Sequence, residues 1–166
     1  MKKWLVVVAI IGFVLSVCGQ TESEPAYKRF PSVPPLNLLK ADSTTLTKEN
    51  LKKDQPTMIM YFSPLCEHCQ HQMEDMIQHM DELRSVQIVM ATYSPMNELS
   101  DFINKYNLQS YPNILSGRDT KYLLQPFYKI GGLPFQALYD SSGNLITTFE
   151  GNVKIDVLLN AFKKKD

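Results

Sequence analysis

The chain has no excess of charge of either sign: 17 Lys and Arg stand against 17 Asp and Glu in 166 residues. It therefore has no net field to concentrate it on nucleic acid or on an anionic membrane surface, and no nucleic-acid partner is expected. There is no internal repeat and no low-complexity tract. The length suffices for one ordinary domain with its own core and not for two. The apolar stretch Trp4–Val17 is shorter than the roughly 20 residues that span a hydrocarbon core as a helix. Cysteine is scarce, at three in all, and the single tryptophan is Trp4.

That apolar stretch follows Lys2 and Lys3 and gives way abruptly to the polar "CGQTESEP". The pattern predicts a signal peptide over residues 1–19 and an exported protein, in the bacterial periplasm or anchored by lipid outside the cytoplasm. "LSVC" resembles a lipoprotein box that would lipidate Cys18, although Val17 stands where that box prefers a smaller residue; ordinary cleavage before Gln20 is the other reading. Either cleavage leaves Cys66 and Cys69 as the only thiols of the mature domain. Residues 20–35, with Pro25, Pro31, Pro34 and Pro35, suit an extended linker, and residues 36–166 form the domain.

Within the domain, "LNLL" and "STTLTKENL" suggest a strand or hairpin and then a short helix capped by Thr47. "TMIMYF" is a continuous apolar run of the kind that forms a strand buried on both faces. Met73, Met76, Ile77, Met80 and Leu83 recur at helical spacing and predict one amphipathic helix from Cys66 to about Arg84. A strand at "VQIVMATY", a helix at "MNELSDFINKYN", a strand at "NILS" and a helical stretch interrupted by Pro126 follow. "FQALY" and "LITTF" form a hairpin about Gly143, before a closing helix over 155–165. Alternating units followed by a hairpin predict an α/β protein with a mixed sheet and helices on both faces.

Cys66 and Cys69 admit three readings. A staple closing so short a loop removes little denatured-state entropy. A metal clamp needs a second pair of ligands, and only His68, His71 and His79 are at hand. A copper-binding or copper-delivery module recruiting Met73, Met76 and Met80 is the alternative, set against the ordinary role of such a methionine stripe as core and of His71 and His79 as solvated surface. A redox couple needs nothing more. A cysteine at a helix N-terminus feels unpaired N–H groups and the helix dipole, which favour the thiolate of Cys66. Cys69, a turn further in, is placed to resolve a mixed disulfide, closing the Cys66–Cys69 disulfide. His68 between them would stabilise the reduced form and make the disulfide more oxidising.

"MIMYFSPLCEHC" as strand, loop and redox motif, "GGLPF" as a proline loop, and "FQALYDSSGNLITTF" as the hairpin after it are together similar to the thioredoxin superfamily over most of residues 36–166. The resemblance implies a thioredoxin-like fold, a central mixed β-sheet flanked by helices, with a cis peptide at Pro134 and backbone pairing of an extended client segment at Leu133. The long span from Cys66 to Pro134, with the export signal, resembles the TlpA-like exported thiol-disulfide oxidoreductases. It implies a strand-helix insertion between the dithiol helix and the cis-proline loop, protein disulfides as substrates, a membrane redox partner, and no cofactor or metal beyond the dithiol. A thioredoxin fold kept as a binding module with an inert disulfide is a further alternative, and a monomer is expected. Met60 stands where thioredoxins bury an acid, with Glu67 as partial compensation for proton handling. Glu67 and His68 together leave the direction of electron flow open. Peroxiredoxin chemistry is not expected, because Ile59 and Ser63 replace the Pro and Thr of that pattern.

Overall fold

The computed structural model describes residues 24–163; the segment read as a signal peptide, with Cys18, lies outside them. In chain order the elements are α1 (Ala26–Arg29), β1 (Asn37–Leu39), β2 (Thr45–Thr47), β3 (Thr57–Phe62), α2 (Glu67–Gln78), α3 (Met80–Leu83), β4 (Gln87–Thr92), α4 (Met96–Lys105), β5 (Ile114–Arg118), α5 (Leu124–Tyr128), β6 (Phe135–Tyr139), β7 (Leu145–Glu150) and α6 (Ile155–Lys163). The strands form one sheet in the order β2-β1-β5-β4-β3-β6-β7. β3, β4 and β5 run parallel, while β6, β7, β1 and β2 add antiparallel pairs at the two sides. The sheet is mixed, with helices on both faces, as the alternation of elements predicts.

The unbroken apolar run of β3 is explained by its place at the centre, where every residue is buried. Met58, Met60 and Phe62 face the cluster under α2, α4 and α6, and Ile59 and Tyr61 face the opposite cluster, which α5 and the segment before β1 cover. Six methionines (Met58, Met60, Met73, Met76, Met80 and Met90) fill the first cluster. The helical methionine stripe is therefore core, where unbranched, polarisable side chains fill irregular gaps. Each such side chain removed from water contributes about 1.5–3 kcal/mol.

Three expectations are corrected. The helix from Cys66 does not run unbroken to Arg84: it pauses at His79 (φ −115°, ψ 23°), whose ring Nδ1 lies 2.9 Å from the Asp75 carbonyl, before α3 resumes. Part of the segment read as an extended linker is folded: Tyr27 packs on Tyr128, Val33 is buried, and Val33 N–H and Leu145 N–H donate to Gly143 and Pro31 carbonyls at 3.1 and 2.8 Å. Pro126 lies within α5 rather than interrupting it, because it occupies the first turn, where a missing N–H leaves no bond unmade. Gly143 adopts φ +80° in the β6–β7 turn. At Gly117 a Cβ would stand 2.7 Å from that of Leu38, so glycine there lets β5 and β1 approach.

Candidate active site

β3 ends at Phe62 and the chain turns through Ser63, Pro64 and Leu65, closed by the Cys66 N–H donating to the Ser63 carbonyl at 3.1 Å. Cys66 is the N-cap of α2, with extended backbone (φ −80°, ψ 118°), and Cys69 lies one turn inside. Gln70 Nε2 holds the Pro64 carbonyl at 2.8 Å, and Lys105 Nζ of α4 holds Gln70 Oε1 at 3.0 Å, so the first turn is braced from two sides. Cys66 is half-buried and Cys69 fully buried, and both are free thiols. The first-turn N–H groups of α2, which have no partner within the helix, converge on the Cys66 end and favour negative charge there.

Burial pushes the Cys69 thiol up to about 12; the neighbouring Cys66 thiol adds to the rise, and the Ser63 backbone opposes it. Cys69 therefore holds its proton at neutral pH, and only a change at Cys66 or a nearby base releases it. Met60, at the position of the thioredoxin acid, is buried apolar core. Two buried amides stand nearby instead. Gln72, three residues after Cys69 on the same face of α2, accepts from Val153 N–H at 2.7 Å and donates to the Val153 carbonyl at 3.0 Å. Gln136 donates to the Gly151 carbonyl at 3.3 Å and to Gln72 Oε1 at 3.5 Å, while its own Oε1 has no partner among the described residues.

The first turn is also tied to the loop after β7. Asn152 Nδ2 donates to the His68 carbonyl at 2.7 Å, which turns Asn152 Oδ1 toward His68 Nδ1 at 3.1 Å. Because that oxygen only accepts, the bond places the ring proton on Nδ1. The Leu133–Pro134 bond is cis, and Pro134 accepts from Gly151 N–H at 2.8 Å. Leu133 and Cys66 both pack against the cluster that contains Cys69. The structure thus brings together Cys66, Cys69 and the Leu133–Pro134 loop. Glu67 and His68 are exposed beside them, and His71 and His79 are exposed further along. Among the described residues no group of three or more His, Cys, Asp and Glu side chains is arranged to hold a metal, and no helix is long and apolar enough to cross a membrane.

Several participants escape a reading of the sequence. Asn152, Gln72 and Gln136 act through contacts between residues far apart in the chain, and only the polar Gln72 on an otherwise apolar helix face is a local signal. Leu65, 71% exposed immediately before Cys66, breaks the rule that large apolar side chains are buried.

Fold and dithiol together define a thioredoxin-like protein. A sequence model of the AhpC/TSA family matches residues 31–157, and the chain belongs to that family. Ile59 is buried on the sheet face away from α2. No curated protein matches the chain. Among solved structures, it is similar to a secreted disulfide oxidoreductase of Mycobacterium tuberculosis homologous to E. coli DsbE, at 16% identity over 78% of this chain and 96% of that one, with a TM-score of 0.65. A thiol:disulfide interchange protein of Chlorobium tepidum shares 18% identity over 86% and 97% of the two chains, with a TM-score of 0.66. The exposed lipoprotein thioredoxin Etrx1 of Streptococcus pneumoniae shares 22% identity over 79% and 99%, with a TM-score of 0.61. At these identities the likeness establishes the thioredoxin-like fold.

Proposed function

We propose that the protein is an exported thiol-disulfide oxidoreductase acting on protein disulfides. The observation that carries this reading is a half-buried Cys66 at the N-cap of α2, with a fully buried Cys69 one turn behind it and a cis Leu133–Pro134 loop packed on the same cluster. In the reducing direction the Cys66 thiolate attacks one sulfur of a client disulfide, forming a mixed disulfide and expelling the other client sulfur as a thiolate. Cys69, once deprotonated, attacks Cys66 Sγ, forming the Cys66–Cys69 disulfide and expelling the second client thiolate. Two electrons pass from the dithiol to the client, and the two client thiolates take up the protons released by the cysteines. The oxidising direction is the reverse. Leu133 and Pro134 align the client segment, and His68 tunes the potential. Export is read from the segment ahead of residue 20, which ends either in lipidation of Cys18 or in cleavage before Gln20, and a membrane redox partner recycles the dithiol.

The test is the reduction potential of Cys66–Cys69 in glutathione buffers, read by thiol alkylation because the only tryptophan lies in the leading segment. A value near about −270 mV marks a reductant and one near about −120 mV a disulfide donor. Failure of the pair to equilibrate with any thiol buffer overturns the redox function.

A further inference from the structure

A cleft of about 500 Å³ opens on the sheet face opposite α2, lined by Tyr61, Tyr93, Tyr122, Gln125 and the loop of residues 130–133. It lies at the carboxyl ends of the three parallel strands: Tyr61 is the penultimate residue of β3, Tyr93 follows β4, and Tyr122 lies in the turn after β5. Open α/β sheets offer ligands a crevice at this edge. The rings stand in a row, with centroids 6.3 Å apart from Tyr61 to Tyr93 and 6.4 Å from Tyr93 to Tyr122. Tyr93 and Tyr122 leave 39% and 51% of their surface exposed.

Tyr61 itself is only 1% exposed, and its hydroxyl has no hydrogen-bond partner among the described residues. The contrast lies on the same face of the sheet, where the buried hydroxyls of Tyr128 and Tyr139 satisfy each other at 2.6 Å. Buried polar groups are nearly always paired, so an orphan hydroxyl on a ring that borders a cleft is suited to a ligand that brings the missing partner as it seats there. Burial, with Asp119 adding to it, pushes the Tyr61 phenol well above its ordinary range, and it stays a neutral donor and acceptor. Asp119 is buried and caps the Leu123 and Leu124 N–H groups at 3.1 and 2.9 Å. Its negative charge behind the ring disfavours a carboxylate or phosphate in the cleft.

Leu133 settles which ligand is placed to enter. It lines the cleft, precedes cis Pro134, and packs on the cluster that holds Cys66 and Cys69. A client segment aligned along Leu133 passes the mouth of the cleft. We propose that this cleft is a client-recognition subsite for a tyrosine side chain flanking the attacked cysteine, its ring lying against Tyr93 and Tyr122 and its hydroxyl pairing with that of Tyr61. The inference rests on the proposed oxidoreductase function and adds to it the side chain that the enzyme selects.

The test is the rate of reduction of disulfide-linked peptides by the reduced, mature protein. The peptides carry Tyr, Phe or Ala at each of the positions flanking the cysteine, and small-molecule cystine serves as a control. At one flanking position the wild type is expected to favour Tyr over Phe by about tenfold in kcat/KM, because only Tyr satisfies the buried hydroxyl, and Phe over Ala by a smaller factor. Tyr61→Phe makes the Tyr and Phe peptides equal, and Tyr122→Ala erases the preference of Phe over Ala. Equal rates for all peptides in the wild type overturn the subsite while leaving the oxidoreductase intact. A Tyr preference that survives Tyr61→Phe overturns the assignment of the hydroxyl. Loss of reduction of every peptide and of cystine overturns the oxidoreductase reading itself, and the subsite with it.

Discussion

Met60 of β3 stands directly opposite Gln136 of β6 in the antiparallel register, beneath the helix that carries the dithiol. The pair places an apolar side chain where the thioredoxin pattern has an acid, and sets beside it an amide whose Oε1 is buried without a partner among the described residues. An amide oxygen accepts a hydrogen bond but does not take up a proton at neutral pH, so this site offers Cys69 a polar neighbourhood without a base.

Gln136→Glu is therefore expected to supply the base. With Cys69 no longer short of a proton acceptor, the mixed disulfide on Cys66 should resolve faster, by about tenfold on the usual scale of general-base effects, which reaches 10² or more. The checking measurement is the lifetime of a Cys66 mixed disulfide trapped by acid quench. The new carboxyl is buried, so its pKa rises on folding. The variant keeps its stability below the ordinary Glu value of roughly 4.3 and loses it as pH rises through the raised value. A lifetime unchanged or lengthened at neutral pH would show that proton removal at Cys69 does not limit resolution.

Burial of Cys69 makes a prediction about the reduced protein. Its thiol ordinarily titrates near 9.0 and here is pushed up to about 12. A raised folded value means that the native state holds the proton more tightly than the unfolded chain does. The reduced form therefore keeps this contribution below about pH 9 and loses it as pH rises toward about 12. The buried phenols of Tyr61, Tyr128 and Tyr139 are also pushed up and add their own alkaline loss, but they do so in both redox forms. The stability difference between oxidised and reduced protein should accordingly grow above pH 9, in favour of the disulfide, in urea titrations at successive pH values. Under native conditions at pH 8, iodoacetamide should label Cys66 and spare Cys69.

His68 and Asn152 act as one unit, since Asn152 holds both the ring and the carbonyl of His68. His68→Ala and Asn152→Ala are each expected to shift the pH profile of Cys66 alkylation in the same direction. The double variant should shift it no further than the larger single change, a coupling that a double-mutant cycle reads directly. Because both side chains are exposed, the accompanying loss of stability should stay within about 1 kcal/mol. Additive shifts would mean that Asn152 does not act through His68.

Much of this arrangement is legible along the chain. An unbroken apolar run, a Ser-Pro break and two cysteines three apart are local signals, and β3, the turn and α2 follow from them; Gly143 likewise marks the β6–β7 turn. The exceptions share a cause. The pause at His79 leaves the apolar stripe in phase, since Met80 and Leu83 remain buried, so periodicity does not reveal it. Tyr27 and Val33 are held by Tyr128 and Gly143, more than a hundred residues away in sequence. The proline content before residue 36 predicts extended backbone, yet Ala26–Arg29 forms the short helix α1, and proline content says nothing of what the segment docks against. Gln72, Gln136 and Asn152 are matched only by partners that the fold brings to them. The dithiol motif is local, and its support is not.

The last prediction concerns Tyr61 apart from any client. A buried hydroxyl without a partner costs about 1–3 kcal/mol relative to one that is paired, and its removal without change of shape relieves that penalty. Tyr61→Phe keeps the ring between Tyr93 and the sheet and deletes only the oxygen, so the variant should be more stable than the wild type by about 1 kcal/mol. For a domain of this size that is a rise in Tm of about 2–4 °C, measurable by calorimetry on the reduced protein. Tyr139→Phe is the control: its hydroxyl is paired with Tyr128 at 2.6 Å, and its loss strands that partner, so Tm should fall. If both substitutions lower Tm alike, the Tyr61 hydroxyl is satisfied in the free protein and needs nothing from a ligand.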